Sequence, residues 1–214
     1  MKPLAYELKS QPFMDFDFYV DQNVLIPRPE TEQLVEKAIE EIKNLKLKIK
    51  NLELLDLGTG SGCIAVSLAK YFSHVKITAV DSSPDALAVA RKNAKIHNVY
   101  DRIEFIEGNL LEPLAGRKFD LIISNPPYIP SKDIETLDSG VKEWEPRKAL
   151  DGGVDGLDYI RKLIQEGPEY LNPGGMLIFE MGYGQAEAIR RLCPGVEIIK
   201  DYAGIDRIAI KRVS

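Results

Sequence analysis

Cysteine and histidine are scarce in this chain: Cys63, Cys193, His74 and His97 are the whole supply in 214 residues. Two thiols so far apart make no disulfide framework, and four scattered donors make no zinc set, so no metal is expected. No uncharged stretch approaches the ~18 residues of a membrane span. The start, Met1-Lys2-Pro3-Leu4-Ala5-Tyr6-Glu7, has no apolar signal core. There is no Gly-x-Ser-x-Gly elbow and no Gly-Lys pair of a phosphate-binding loop. Positive charge is not in excess either: 28 Lys and Arg stand against 33 Asp and Glu, a net charge of −5. With Trp144 as the single tryptophan, a basic channel with stacking aromatics is missing, which argues against a nucleic-acid substrate. The expectation is a cytoplasmic protein free of the membrane, and a monomer.

The composition, 44% hydrophobic and 29% charged, is that of an ordinary globular protein. At roughly 100–200 residues per domain, it makes one large domain or one with a small appendage. From Leu52 onward, strand-like runs alternate with helical ones. Strands are expected at 52–57, 76–80, 103–106, 119–124, 176–181, 196–200 and 207–211. Helices are expected at 63–71, 84–97, 157–171 and 185–192, with Pro84 in the first turn of its helix, where a missing N–H costs nothing. Such alternation predicts an α/β fold with a mostly parallel sheet covered on both faces. Ahead of it, 13–20 is expected to pair with 24–26 as a hairpin, and a helix opens at Glu30 and runs to about Lys43. Lys43, Lys46, Lys48 and Lys50 are expected on a solvated helix end and its loop. The long irregular segment from Asn125 to about Gly156 has the length of a functional loop.

Asp56-Leu57-Gly58-Thr59-Gly60-Ser61-Gly62 lies between a strand and a helix. Glycines there let the backbone turn sharply and approach a ligand where a Cβ would collide. At the end of the next strand comes Asp81, placed to accept hydrogen bonds from both hydroxyls of a ribose. The pair points to an adenosine-containing ligand. Dinucleotide sites read Gly-x-Gly-x-x-Gly and hold a pyrophosphate, which the Asp56 carboxylate would repel. The ammonium and sulfonium of S-adenosylmethionine would instead be attracted, so Asp-x-Gly-x-Gly-x-Gly favours that cofactor.

Asn125-Pro126-Pro127-Tyr128 ends the fourth strand of the alternating block. The prolines remove two backbone donors and fix the chain locally. Carbonyls of Asn125 and Pro126 can then point outward as acceptors. An amide or aromatic-amine nitrogen is a poor nucleophile because its lone pair is delocalised. Two acceptors on its N–H groups would pull it toward a tetrahedral shape, facing a methyl donor for in-line displacement. The Tyr128 ring could stack on the planar target. The motif leaves open whether the nitrogen belongs to adenine, guanine or glutamine.

Together these residues resemble the HemK/PrmC family of protein-(glutamine-N5) methyltransferases, which act on peptide chain release factors. The segment from Phe13 through Pro27-Arg28-Pro29-Glu30-Thr31-Glu32 and the loop Glu145-Pro146-Arg147-Lys148-Ala149-Leu150-Asp151-Gly152-Gly153 resemble the family too, so the likeness covers nearly the whole chain. It implies a Rossmann-like, S-adenosylmethionine-dependent methyltransferase with a mostly parallel seven-stranded sheet and an N-terminal β-hairpin. Residues 1–28 would be the hairpin and linker, and 29–214 the methyltransferase domain. The cofactor would be bound by Gly58, Thr59, Gly60, Ser61, Gly62, Asp81 with Ser82, and Asn109 with Leu110. Arg28, Pro29 and Thr31 would lie near its methionyl end. Asn125 would serve cofactor and substrate, and Asn125 with Pro126 would carry the catalysis. Pro127 and Tyr128 would complete a pocket for the glutamine of a Gly-Gly-Gln loop. The family usually has Asp where Asn109 stands; Asn keeps a carbonyl acceptor for the adenine amino group but not the charge. Family members usually carry a helical domain before the hairpin, thought to help hold the release factor, and this chain begins about where it would end. Joining one is expected to raise apparent affinity through effective concentration. A DNA-adenine or RNA-guanine methyltransferase is the alternative function. A non-catalytic S-adenosylmethionine-binding adaptor is a third, disfavoured because a binding module has no need for paired acceptors.

Overall fold

The structure is a computed structural model that describes residues 1–46 and 52–213. A short helix α1 (Leu4–Leu8) precedes a hairpin of β1 (Gln11–Phe13) and β2 (Phe16–Phe18), and helix α2 (Pro29–Lys46) follows. The alternating block is β3 (Leu52–Leu57), α3 (Cys63–Tyr71), β4 (Val75–Asp81), α4 (Pro84–Ile96), β5 (Ile103–Glu107) and β6 (Phe119–Ser124). After the long loop, which carries α5 (Ser139–Lys142), come α6 (Asp158–Glu166), β7 (Leu171–Glu180), α7 (Ala186–Leu192), β8 (Glu197–Lys200) and β9 (Asp206–Arg212). Lys43 is exposed on α2 and Lys46 is its last residue, while Lys48 and Lys50 lie outside the described residues.

The seven-stranded sheet has the order β5-β4-β3-β6-β7-β9-β8. Neighbours from β5 to β7 are parallel, and β9 runs antiparallel to both β7 and β8. Alternate residues of each strand serve opposite faces. Leu52, Leu54, Ile77 and Ile123 pack with α2, α3 and α4 on one face, while Leu55, Leu57, Val80, Ile122 and Phe179 pack with α6 and α7 on the other. Near-continuous apolar runs in β3 and β6 follow from burial on both sides. The strand order reverses between β3 and β6, so the carboxyl ends of these two strands frame a crevice.

The hairpin forms on residues other than those expected. β1 pairs with β2, joining Phe13 to Phe16, so the expected strand 13–20 contains the turn and 24–26 has no ladder. Met14 accounts for it: it adopts φ 53°, and its N–H donates to Glu32 Oε1 at 2.6 Å, which closes a two-residue turn. Val24 and Ile26 are buried instead against Tyr6, Val20, Ala86 and Val89. The helix expected over 157–171 stops at Glu166, and a 3₁₀ turn runs from Gly167 to Tyr170. Pro168 there has no N–H to continue an α-helix. β7 accordingly starts at Leu171, five residues before the expected Met176, with an irregular register opposite Phe119 and Leu121.

Candidate active site at the strand-order reversal

Where β3, β4 and β6 end, they open onto a cavity of about 280 Å³. Thirteen of the residues expected at the site line it: Arg28 and Thr31; Gly58, Thr59, Gly60 and Ser61; Asp81, Ser82, Asn109 and Leu110; Asn125, Pro126 and Pro127. The glycine loop is held from two sides. Gly58 and Thr59 donate backbone N–H groups to the Val80 carbonyl, and Gly60 N–H donates to Asp81 Oδ2 at 2.8 Å. Asp81 Oδ1 accepts from Ser83 N–H at 2.9 Å. A carboxylate has about four acceptor positions, so Asp81 keeps lone pairs for hydroxyls in the cavity. Burial raises its pKa, opposed by the amides of Gly60, Ser83 and Ser82 and by the Lys148 charge.

Asp56, Gly62, Pro29 and Tyr128 are not among the lining residues. Asp56 shares its pleat face with Leu52 and Leu54, and its carboxylate turns toward the start of α3. Oδ2 accepts from Thr59 Oγ1 at 2.7 Å and from Ala65 N–H at 3.2 Å. Oδ1 is buried with no partner, and burial pushes the Asp56 carboxyl up to about 7. Gly62 caps α3 at φ 79°, and a Cβ there would meet Ala90 of α4 at 3.1 Å. It serves close helix packing rather than contact with a ligand. Pro29 is the first residue of α2, and Tyr128 packs its ring toward the second core cluster.

The polar network behind Asn125 was not expected from sequence. Asn125 Nδ2 donates to Thr31 Oγ1 at 2.9 Å, and Thr31 Oγ1 donates to Glu180 Oε2 at 2.8 Å. Tyr128 donates its hydroxyl to Glu180 Oε1 at 2.9 Å. Since the Asn125 N–H₂ is engaged inward, its Oδ1 remains as the acceptor. Among the described residues, no backbone donor from turns or loops pairs with the carbonyl of Asn125 or Pro126. Ser124 Oγ ties the end of β6 to β3 by donating to the Leu57 carbonyl at 2.8 Å.

Three further residues brace the elements around the cavity without lining it. Glu145 bridges Arg28 at 2.5 Å and accepts from Ile26 N–H at 3.3 Å, joining the N-terminal segment to the long loop. Asn93 of α4, fully buried, donates to the carbonyls of Ser61 and Tyr19 and accepts from Tyr19 N–H. Glu180 is fully buried at the end of β7. A single acid inside the apolar run 176–181 and a single Asn on the alanine-rich face of α4 are the sequence signals that mark the last two. Leu110 takes φ 50°, at a cost of roughly 1–2 kcal/mol for an L-residue, on the cavity wall. Asn109 donates Nδ2 to Glu112 Oε1 at 2.7 Å, which leaves its carbonyl oxygen free to accept.

The donor set fits S-adenosylmethionine. Glycine backbone forms one wall, an acid sits at the end of β4, and a buried oxygen with no partner, Asp56 Oδ1, lies behind the loop. Sheet order, glycine loop and Asn-Pro-Pro-Tyr at the switch point together define an S-adenosylmethionine-dependent methyltransferase. Residues 39–138 match the family model "Methyltransferase small domain".

Similar proteins narrow the class. A protein named release factor glutamine methyltransferase from Geobacter sulfurreducens is 46% identical, over 99% of this chain and 74% of its own length. One of the same name from Clostridium acetobutylicum is 40% identical, over 97% and 74%. Among solved structures, the ribosomal protein L11 methylase of Lactobacillus delbrueckii is 25% identical with a TM-score of 0.61, covering 87% of this chain and 81% of that one. A methyltransferase from Pyrococcus furiosus superposes with a TM-score of 0.62 over 92% and 88% at 20% identity, which reports the fold. This chain belongs to the release factor glutamine methyltransferase family.

Proposed function

We propose that this chain transfers a methyl group from S-adenosylmethionine to the side-chain amide nitrogen of the glutamine in the Gly-Gly-Gln loop of release factors. The supporting observation is the polarity of Asn125: its Nδ2 donates to Thr31, which leaves Oδ1 as the acceptor of a cavity-lining residue. Oδ1 of Asn125 and the Pro126 carbonyl accept the two N–H groups of the substrate amide. Held so, the nitrogen loses conjugation with its carbonyl and presents a lone pair. S-adenosylmethionine supplies the electrophilic methyl. Gly58 to Ser61 give it close backbone contact, Asp81 holds the ribose with Ser82 beside it, and Asn109 accepts from the adenine amino group. Arg28 and Thr31 stand at the methionyl end, and Pro127 limits the glutamine pocket, with Tyr128 behind it holding Glu180. Glycines beside the target let the substrate loop reach a recessed site without side-chain collision.

Residues 1–28 form the proposed hairpin-and-linker segment and 29–214 the methyltransferase domain. The proposed setting is the cytoplasm, with the enzyme working as a monomer on a protein rather than a nucleic acid. No helix among the described residues is long and apolar enough to cross a membrane. The test is kinetic. Asn125→Ala should slow single-turnover methyl transfer to a Gly-Gly-Gln peptide by about 10²–10³-fold, the usual loss for one preplaced hydrogen-bonding group. S-adenosylmethionine affinity should change only a few-fold. Intact transfer with weakened peptide affinity alone would contradict the catalytic role.

A further inference from the structure

A threonine hydroxyl has one proton. In this structure Thr31 directs it to Glu180 Oε2 at 2.8 Å, so its oxygen faces Asn125 only as an acceptor. The Asn125 amide must then present Nδ2 to Thr31, at 2.9 Å, which leaves Oδ1 as the unspent end of a residue that lines the cavity. Tyr128 fixes the other carboxylate oxygen by donating at 2.9 Å. Thr31 is 2% exposed and Glu180 fully buried, so water does not supply competing partners. A proton on Glu180 Oε2 would reverse the chain. Glu180 would donate to Thr31, Thr31 would donate to the Asn125 carbonyl, and the amide would turn its N–H₂ outward. A donor would then face the N–H groups of a substrate amide.

We infer that Thr31 and Glu180 are positioning residues: the carboxylate sets the direction of the Thr31 hydroxyl, which sets which end of the Asn125 amide faces the cavity. Burial is the strongest influence on Glu180, and the groups around it oppose burial only in part. Burial raises its pKa, while the hydrogen bonds from Thr31 on α2 and Tyr128 in the loop and the charge of Arg207 on β9 lower it; Glu30 on α2 adds a raising charge. Transfer should therefore fall on the acid side at a pH above the ordinary carboxylate range of about 4. The activity readout rests on the proposed glutamine methylation; the orientation of the amide does not.

The test compares the parent chain with Thr31→Val, Thr31→Ser and Glu180→Gln. Transfer to a Gly-Gly-Gln peptide, S-adenosylmethionine affinity by calorimetry and the NMR signals of the Asn125 side-chain amide without substrate are measured on each. Thr31→Val and Glu180→Gln should lower transfer on the order of 10–100-fold, the worth of one charge-assisted hydrogen bond, and shift the Asn125 amide signals. Thr31→Ser should recover most of what Thr31→Val loses, and Glu180→Gln should abolish the acid limb of the pH profile. Equal losses in Thr31→Ser and Thr31→Val would show packing alone and overturn the inference. So would unshifted Asn125 signals in Thr31→Val. If Glu180→Gln does not fold, the threonine pair decides. A parent inactive on the peptide would overturn the glutamine proposal, and the amide signals would still decide this one.

Discussion

Two acids of one motif region have different tasks, and pleat geometry separates them. Asp81 ends β4 beside the cavity, while Asp56 faces α3 and holds Thr59 and Ala65. Asp81→Ala should weaken S-adenosylmethionine binding by one to two orders of magnitude, from hydrogen bonds of about 1.5–3 kcal/mol each to a charged acceptor. Calorimetry checks it, and unchanged affinity would remove the ribose role. Asp56 carries a pH signature. Its carboxyl is held up at about 7 in the fold, against about 3.9 in the unfolded chain. The native state therefore binds more protons between these values, and the stabilisation present below pH ~4 is lost as pH rises toward 7. Asp56→Asn should flatten the dependence of the ligand-free protein's stability on pH over that interval, in urea melts. An unchanged slope would show that Asp56 is ionised in the fold.

Helix and strand contacts show which signals a sequence carries. β3, α3 and β6 match their expected ranges because each is an apolar run bounded by a glycine loop or a proline pair. The hairpin was misplaced because its register depends on Met14 in a left-handed turn and on Glu32, 18 residues away. The cavity's glycine loop, Asp81 and Asn125 were legible, since each sits at a strand end where topology alone brings it to the crevice. Glu180, Glu145 and Asn93 were not, because their partners lie 149, 117 and 74 residues away in the chain. Gly62 gives the element-scale prediction. Its φ of 79° and the 3.1 Å separation from Ala90 leave a side chain both strained and crowded. Gly62→Ala should cost about 1–3 kcal/mol by thermal or urea unfolding. A change under about 0.5 kcal/mol, the usual limit for a neutral surface site, would show that α3 and α4 shift freely.

Across the whole molecule, a mostly parallel sheet with its reversal between β3 and β6 gathers the glycine loop, Asp81 and Asn125 into one cavity. A net charge of −5 and a single tryptophan weigh against the alternative of a nucleic-acid substrate. The N-terminal segment enters the same architecture: Phe13 and Phe18 lie in the main core cluster, and Arg28, which lines the cavity, is bridged to Glu145. These features are consistent with the proposed substrate, a protein glutamine. The direct measurement is peptide mass spectrometry after incubation with S-adenosylmethionine and a release factor, with DNA and RNA as parallel substrates. The account predicts one methyl on the glutamine of the Gly-Gly-Gln loop and none on nucleic acid. Methylated DNA or RNA with the Gly-Gly-Gln glutamine untouched at every concentration would contradict it.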